Sequence, residues 1–155
     1  MSPYLLALLI GVVAGLRSMT PPAAVSWAAR LGWLRLENTP LAFLGFAATP
    51  YILSLFAIAE LITDKLPKTP SRKMLAPFTA RVVTGAFSGA ALGAPGGALA
   101  GGLLAGAVGG VAGTLAGYEF RRRLVKATGG RDLPIALLED VIAICAAFWI
   151  VSRAI

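Results

Sequence analysis

Apolar residues fill five long stretches of the chain, and short polar or basic segments separate these stretches. They cover about residues 3–34, 41–62, 77–94, 97–118 and 134–155. A helix needs about 20 apolar residues to cross the hydrocarbon core of a bilayer, so the chain has room for five such helices and their connections. The pattern therefore predicts an all-α fold, a polytopic transmembrane helical bundle of about five spans that forms a single domain over residues 1–155.

The first stretch is too long for one plain span, because Arg17 and the Thr-Pro-Pro sequence at residues 20–22 interrupt it. In one interpretation, a helix over residues 3–20 is followed by an interfacial helix over residues 22–34. In the other, a single kinked or broken helix leaves Arg17 near the middle of the membrane. We favour the broken form.

Two glycine stripes favour close packing of these helices. Glycine inside an aqueous helix costs about 1 kcal/mol relative to alanine, whereas in a bilayer small residues four apart let helix backbones touch. A glycine zipper of this kind can face several neighbours, and five short helices barely enclose a cavity, so we also expect a homo-oligomer. The first stripe is Gly85, Gly89, Gly93, Gly97, Gly101, Ala105, Gly109, Gly113 and Gly117, and the second is Gly102, Gly106 and Gly110.

Composition agrees with a membrane protein. Hydrophobic residues make up 57% of the 155 residues, charged residues only 14%, and the mean hydropathy is +0.80. The formal net charge is +7, but the basic residues lie in short loops beside apolar runs, which is typical of topology determinants and not of a nucleic-acid surface. We therefore expect membrane lipids, and no nucleic acid, among the partners.

The distribution of basic residues predicts the orientation. The loops near residues 64–77 and 119–131 contain nine Lys and Arg residues, whereas the opposite side has three, Arg30, Arg35 and Arg153. Because cytoplasmic loops are enriched in Lys and Arg, both loops and the N-terminus are expected in the cytoplasm and the C-terminus outside. The expected location is the bacterial inner (cytoplasmic) membrane, with a multi-pass topology.

The chain lacks the side chains on which several kinds of catalysis depend. It has no histidine, and Cys145 is its only cysteine, so Ser-His and Cys-His dyads cannot form within it. Zinc, haem and iron-sulfur sites lack their usual ligands for the same reason. We expect no metal, no cofactor and no enzyme, and the remaining enzyme hypothesis is acid-base chemistry on a lipid-linked substrate.

Charged residues within or beside the apolar runs form the candidate binding site. An ionised side chain at bilayer depth costs about 2.5 to 3.5 kcal/mol even on the lenient insertion scale, so these charges should pair or line a polar cavity. We expect this set to bind a substrate or an ion. The candidate residues are Arg17, Glu60, Asp64, Arg81, Glu139 and Asp140.

Helical geometry gives expectations for the pairing. Glu60 and Asp64 are four residues apart and share a helix face. Glu139 and Asp140 point about 100° apart, so only one of them should aim at a common partner. Arg81 is the natural partner for a carboxylate, and Arg17 can join the cluster only if the first helix is broken.

The cluster has a functional and a structural interpretation. In the functional one, the carboxylates bind or relay a cation or proton, or the arginines bind an anion, so the protein is a small transporter or channel-like protein for a small solute or ion. Thr-Pro breaks at residues 20–21 and 49–50 favour it, because interrupted helices often expose backbone groups to a ligand. In the alternative, ion pairs only fix the helix register of a non-transporting membrane scaffold or lipid-binding protein.

Short motifs in a fixed order also carry a resemblance to a family. The chain resembles the uncharacterised small bacterial integral-membrane family called domain of unknown function four-one-two-six, over nearly its whole length. The resemblance implies a polytopic inner-membrane protein with a shared polar site, and it implies no established activity. The motifs are Gly15 to Ser18 followed by Pro21, Ala59 to Leu61 with Asp64 to Pro67, Arg81 to Gly85, and Leu138 to Val141 with Ala143.

Overall fold

The computed structural model describes residues 2–63, 75–130 and 132–154. Within these residues the only regular structure is helical, with no strand, which confirms the all-α prediction. Short 3-10 helices lie at Ala42–Gly45 and Ala94–Gly96. The six α-helices are α1 (Pro3–Leu16), α2 (Thr20–Arg30), α3 (Thr49–Thr63), α4 (Leu75–Gly93), α5 (Leu99–Ala127) and α6 (Asp132–Ser152).

Proline residues mark the beginning of helices. Pro3 begins α1, where the Ser2 hydroxyl accepts a hydrogen bond from the backbone N–H of Tyr4 (3.2 Å) and caps the helix. Pro50 is the second residue of α3. A proline in the first turn removes an N–H that has no partner within the helix. The helix expected over residues 41–62 therefore begins only at Thr49, because Pro50, which lies inside this apolar stretch, belongs to the first turn of the helix.

The first apolar stretch is broken, which is the form that we favoured from the sequence. α1 ends at Leu16, and Arg17 has an extended backbone with φ −142° and ψ 113°. α2 then begins at Thr20, with Pro21 and Pro22 in its first turn. These prolines lack the N–H groups that a continuous helix would need at this point. We call residues Arg17 to Met19 the helix break.

Glycines bring α5 into backbone contact with two neighbours. A Cβ built on Gly106 would lie 2.1 Å from the carbonyl oxygen of Gly85 on α4, and one on Gly109 would lie 2.2 Å from that of Leu8 on α1. Only glycine fits at such distances, since real Cβ contacts are essentially never under 3.0 Å. Gly102, Gly106 and Gly110 all face α4, whereas Gly109 and Gly113 face α1. The two stripes of the sequence thus serve two different helices of the same chain.

These contacts also fix the helix directions. Gly11 contacts Gly106 and Gly15 contacts Gly113, so α1 runs parallel to α5. Gly85 of α4 contacts both Gly106 and Gly11, and α4 runs antiparallel to α1 and α5. The N-terminus therefore lies at the end of the bundle where α4 connects to α5. The basic residues that end α5 lie at the opposite end.

The chain turns back at the helix break. Ser18 is hydrogen-bonded to Glu60 late in α3, while Trp27 donates to the Ser54 hydroxyl (2.9 Å) earlier in α3, so α2 and α3 are antiparallel. The prediction places the N-terminus on the same side as both basic loops. It is wrong for the basic segment at the end of α5, because that segment and the N-terminus lie at opposite ends of the bundle.

Arg81 of α4 lies at the break, whereas Phe87, later in α4, packs against Phe43 (6.1 Å between ring centroids). Leu44, next to Phe43, accepts a hydrogen bond from Ser26 of α2 (2.7 Å). α2 therefore leads from the break in the direction of α4, which is opposite to α1, so residues 3–34 do not make one crossing.

Helix lengths differ from the expected spans. α4 and α6 begin about two residues before their expected starts at 77 and 134, and α5 continues to Ala127 instead of ending near Tyr118. In the described chain two helices are long and apolar enough to cross a membrane, α5 with 29 residues and α6 over Leu133–Ser152. α1 and α3 are apolar but shorter.

Candidate functional site

The helix break lies among buried groups, and its ends carry unfilled hydrogen-bonding capacity. The last carbonyls of α1 have no partner within that helix, and the amides of Ser18 and Met19 lie in the break, outside both helices. Arg17 is 0% exposed and Ser18 is 9% exposed, so bulk water cannot supply the partners. Side chains from other helices supply them instead.

Arg17 binds both carboxylates of α6. Its Nε and Nη2 atoms each lie 2.6 Å from Oδ1 of Asp140, and its Nη1 atom lies 3.5 Å from Oε1 of Glu139. Nη1 also donates to the carbonyl of Leu16 (2.8 Å). Asp140 therefore meets the guanidinium squarely at hydrogen-bond distance, whereas the adjacent Glu139 reaches only its Nη1 edge at the longer distance of an ion pair.

Arg81 closes the carboxyl end of α1. Its Nη1 donates to the carbonyl oxygens of Gly15 (2.9 Å) and Leu16 (2.7 Å), and the residue is 5% exposed. A cation at the C-terminus of a helix is favourable because the helix dipole is negative there. These contacts of Arg81 are with backbone oxygens, whereas the sequence led us to expect a carboxylate as its partner.

Glu60 closes the amino end of α2. Its Oε2 accepts a hydrogen bond from the backbone N–H of Ser18 (2.9 Å) and another from the Ser18 hydroxyl, and its Oε1 accepts one from the N–H of Met19 (3.0 Å). An anion at a helix N-terminus complements the positive end of the dipole. Glu60 reaches this position from the last turns of α3, which runs antiparallel to α2.

Arg121 is a member of the site that the sequence reasoning missed. Its Nη1 lies 3.6 Å from Oε2 of Glu139, so the Glu139 carboxylate lies between two guanidinium groups. We had counted Arg121 among the loop residues that set topology, because we expected the helix to end near Tyr118. The available signal was its spacing of four residues from Gly117, which continues the glycine stripe along one helix face.

The structure brings five of the six candidate residues to the helix break, and the sixth lies outside the described residues. Arg17 belongs to the break, Glu60 and Arg81 close its two ends, and Glu139 and Asp140 hold Arg17 from α6. Asp64 falls in the part of the chain that the structure does not describe, as do the basic residues of the 64–74 segment. In addition, the Thr20 hydroxyl at the start of α2 is buried without a hydrogen-bond partner in the described chain.

Two cavities lie near this arrangement. One of about 50 Å³ reaches Glu139 between α5 and α6. The other, of about 280 Å³, lies at the far end of α2 and is lined by Ala29, Leu34, Leu36, Glu37, Ala42, Gly45 and Phe46. The described charged groups contact one another and the ends of α1 and α2 through hydrogen bonds and ion pairs, so a ligand that binds one of them exchanges with such a contact.

The fold and the site define a small all-helical protein in which buried charges hold a broken helix. A family model described as "Domain of unknown function (DUF4126)" matches residues 4–152. The chain therefore belongs to this family, which confirms the resemblance seen in its motifs. Searches of curated proteins and of solved structures found no match.

Proposed function

We propose that the chain is a multi-pass protein of the bacterial inner membrane that carries a small solute or ion through the charged helix break. The distribution of polarity supports the membrane setting. Arg17, Arg81, Glu139 and Asp140 are all less than 9% exposed, while large apolar side chains such as Leu55 are up to 67% exposed. This arrangement is unfavourable in water, and it is the expected one in lipid, where charges face the bundle interior.

Helix dimensions support a position of the helix break within the hydrocarbon core. Gly15 packs at Gly113, about 15 residues after α5 begins and so about 22 Å along that helix. A core of about 30 Å that begins near the start of α5 would end about 8 Å beyond the break. The apolar part of α5 ends at Glu119, which agrees with this limit. In this setting, the glycine contacts of α5 act as the close-packed seam of a glycine zipper.

The positive-inside rule then gives the orientation. The basic end of α5 faces the cytoplasm, so the break lies in the cytoplasmic third of the core. Because α1 is parallel to α5, the N-terminus lies outside, as does the C-terminus at the end of α6. Within the described chain α5 and α6 are long and apolar enough to cross. We propose that α4 crosses beside α5, with which it is in backbone contact, and that α1, α2 and α3 fill the remaining volume as shorter helices.

The observation that carries the transport proposal is the broken helix closed by buried charges. In transporters, half-helix ends near the membrane midplane expose backbone amides and carbonyls that bind ions and polar solutes. Here the carbonyls of Gly15 and Leu16, the amides of Ser18 and Met19, and Arg17 meet at one place. A solute anion can replace a carboxylate at the amides or at Arg17, and a cation can replace a guanidinium at the carbonyls. The candidate ion- or substrate-binding residues therefore remain Arg17, Glu60, Arg81, Glu139 and Asp140, with Asp64.

Flux measurements with a conservative variant test the proposal. Glu139 is the test position, because its carboxylate faces both Arg17 (3.5 Å) and Arg121 (3.6 Å) and glutamine keeps the shape of the side chain while it removes the charge. Glu119, which is exposed on α5, provides the matched control. The protein in liposomes is challenged with potassium chloride, sodium acetate, sodium phosphate and glycerol, and solute entry is followed by light scattering.

We expect at least one of these solutes to enter faster than it enters protein-free liposomes. The Glu139→Gln variant should lose this excess rate while keeping its thermal stability, and the Glu119→Gln variant should behave as the parent. Entry rates equal to those of empty liposomes for all four solutes would count against transport of these classes. Unchanged flux in Glu139→Gln would remove the charged cluster from the transport route.

A second candidate function is a non-transporting membrane scaffold or lipid-binding protein. Its support is that the break is closed on both sides and that α5 is locked to α1 and α4 by backbone contact, which is the design of a rigid body. A folded protein without flux, in which Glu139→Gln changes nothing but stability, favours this alternative. We also propose a homo-oligomer from the small size of the bundle alone, since the glycine stripes already have partners within the chain.

A further inference from the structure

An apolar cleft separates α5 from α6 beside the charged cluster. Gly117 and Phe120 form its wall on α5, and Leu16 lies at its floor. The opposite wall is the face of α6 that carries Ile135, Leu138, Glu139 and Ile142, residues spaced as one helix face. Glu139 is the one charged residue of this lining.

The outer walls of the cleft face the surroundings of the bundle. Phe120 is 56% exposed, Leu138 is 48% exposed and Ile142 is 43% exposed. The enclosed volume is only about 50 Å³, so the cleft holds a short part of an apolar chain while the rest of that chain lies along these exposed side chains. Apart from Glu139, the described side chains of these walls are apolar.

A basic rim borders the cleft at its cytoplasmic end. Arg121 follows Gly117 by one helical turn, its side chain is 18% exposed, and it reaches Glu139 inside the cleft. Arg122 and Arg123 extend beside it, with side chains 58% and 80% exposed, and both pair with Glu119. This end of α5 carries three arginines beside Glu119 and Glu139, so these five side chains have a net positive charge that attracts an anion.

We propose that this cleft binds one anionic phospholipid of the cytoplasmic leaflet, with an acyl chain between α5 and α6 and the phosphate at Arg121. The inference rests on the membrane setting of the proposed function. An apolar wall that ends in a basic rim complements a lipid with a charged headgroup, and basic residues at the cytoplasmic surface attract anionic lipids. Because Arg121 also contacts Glu139, the phosphate competes with a residue of the charged cluster, and lipid occupancy is coupled to the pairing of Glu139.

Native mass spectrometry of the full chain in detergent tests the proposal. Dioleoyl phosphatidylglycerol and dioleoyl phosphatidylcholine, which share their acyl chains, are titrated separately, and inorganic phosphate is added as a competitor. Arg121→Gln is compared with Arg123→Gln, which removes the same charge from an exposed position. Leu138→Ser is compared with Leu137→Ser, because the two leucines are 48% and 49% exposed and only Leu138 is among the residues lining the cleft.

We expect phosphatidylglycerol to bind more tightly than phosphatidylcholine. Arg121→Gln should weaken its binding by at least about tenfold, the loss of a charge-assisted hydrogen bond. Arg123→Gln should weaken it by no more than about fivefold, the effect of one diffuse surface charge. Leu138→Ser should weaken it and Leu137→Ser should not.

Several results would overturn the lipid site. Equal binding of the two lipids, equal losses in the two arginine variants, or equal losses in the two leucine variants would each show that the cleft does not select the lipid. Displacement of the lipid by inorganic phosphate would assign the rim to a free anion. The transport proposal is separable, because selective lipid binding without flux leaves this inference standing, and flux without lipid selectivity leaves the transport proposal standing.

Discussion

A methyl group added at Gly109 should destabilise the protein far more than the same methyl group at Gly101, although both glycines belong to one stripe of α5. At Gly109 the new Cβ would lie 2.2 Å from the carbonyl oxygen of Leu8 and 2.9 Å from the backbone nitrogen of Val12. At Gly101 it would lie 2.3 Å from a ring carbon of Tyr4. The Tyr4 side chain is 54% exposed and can rotate away, whereas a helix backbone cannot move one atom alone.

The size of the difference follows from the contacts. Ordinary van der Waals contact begins at 3.4 Å, so α1 and α5 must separate by about 1.2 Å beside Gly109, and overpacking of this kind costs about 1–3 kcal/mol. Alanine gains up to about 1 kcal/mol over glycine in a helix, but this gain applies at both positions and cancels between the two variants. The free energy of unfolding of Gly109→Ala should therefore lie about 1–3 kcal/mol below that of Gly101→Ala.

Unfolding in mixed micelles measures this difference. The parent, Gly109→Ala and Gly101→Ala are titrated with dodecyl sulfate in one detergent and followed by circular dichroism. Gly96→Ala is a third variant, because the Cβ there meets nothing within 4 Å, and it should match the parent or exceed it. Equal stabilities of the Gly109 and Gly101 variants, or a larger loss at Gly101, would refute the assignment of Gly109 to a backbone contact with α1.

Three further predictions concern orientation and the charged cluster. In a cysteine-free protein, a cysteine at Ser2 should react with an impermeant thiol reagent in intact cells and one at Thr128 should not, and the reverse labelling would invert the proposed orientation. Glu60→Gln should lower the free energy of unfolding by about 1–3 kcal/mol in chemical denaturation, since one amide oxygen cannot serve three donors, whereas the exposed Glu37→Gln should be neutral. Arg17→Lys should lower it by about 3 kcal/mol or more, because one ammonium cannot reach both α6 carboxylates, and a loss under about 1 kcal/mol would contradict the observed ion pairs.

Much of the fold could be predicted because the apolar runs and the two glycine stripes are local patterns. These patterns predict α4, α5 and α6 to within a few residues at most of the helix ends, and the adjacent prolines Pro21 and Pro22 predict the break after Leu16. The reversal of the chain at the break could not be predicted. Apolar periodicity is the same whether α2 continues away from α1 or returns beside it, and the contacts that decide between the two are those of Ser26 with Leu44 and of Phe43 with Phe87.

The site was predicted by residue type and not by pairing. Charges in apolar runs must meet, so their convergence on one region follows from the cost of burying each alone. Which groups touch depends on helix rotation and on distances of a few ångströms. Arg17 takes both carboxylates of α6, and Arg81 reaches the carbonyls of Gly15 and Leu16. Arg121 was missed because the apolar run predicts a helix that ends near Tyr118, whereas α5 continues to Ala127.

The charges at the helix break divide into those that close helix ends and those that exceed this need. Arg81 meets the negative end of α1 and Glu60 meets the positive end of α2, so each compensates a dipole and unfilled hydrogen bonds. A break in apolar surroundings requires both. Glu139 and Asp140, the carboxylates that pair with Arg17, close no helix end. Apolar residues at these positions could replace the ion pairs. Glu60 and Asp64 are four residues apart in the sequence, and that spacing alone ranks Glu60 first as an ion-binding residue. Its three hydrogen bonds commit Glu60 to the break, whereas the Glu139 carboxylate faces both Arg17 and Arg121, which makes Glu139 the first place to look for a transported ion.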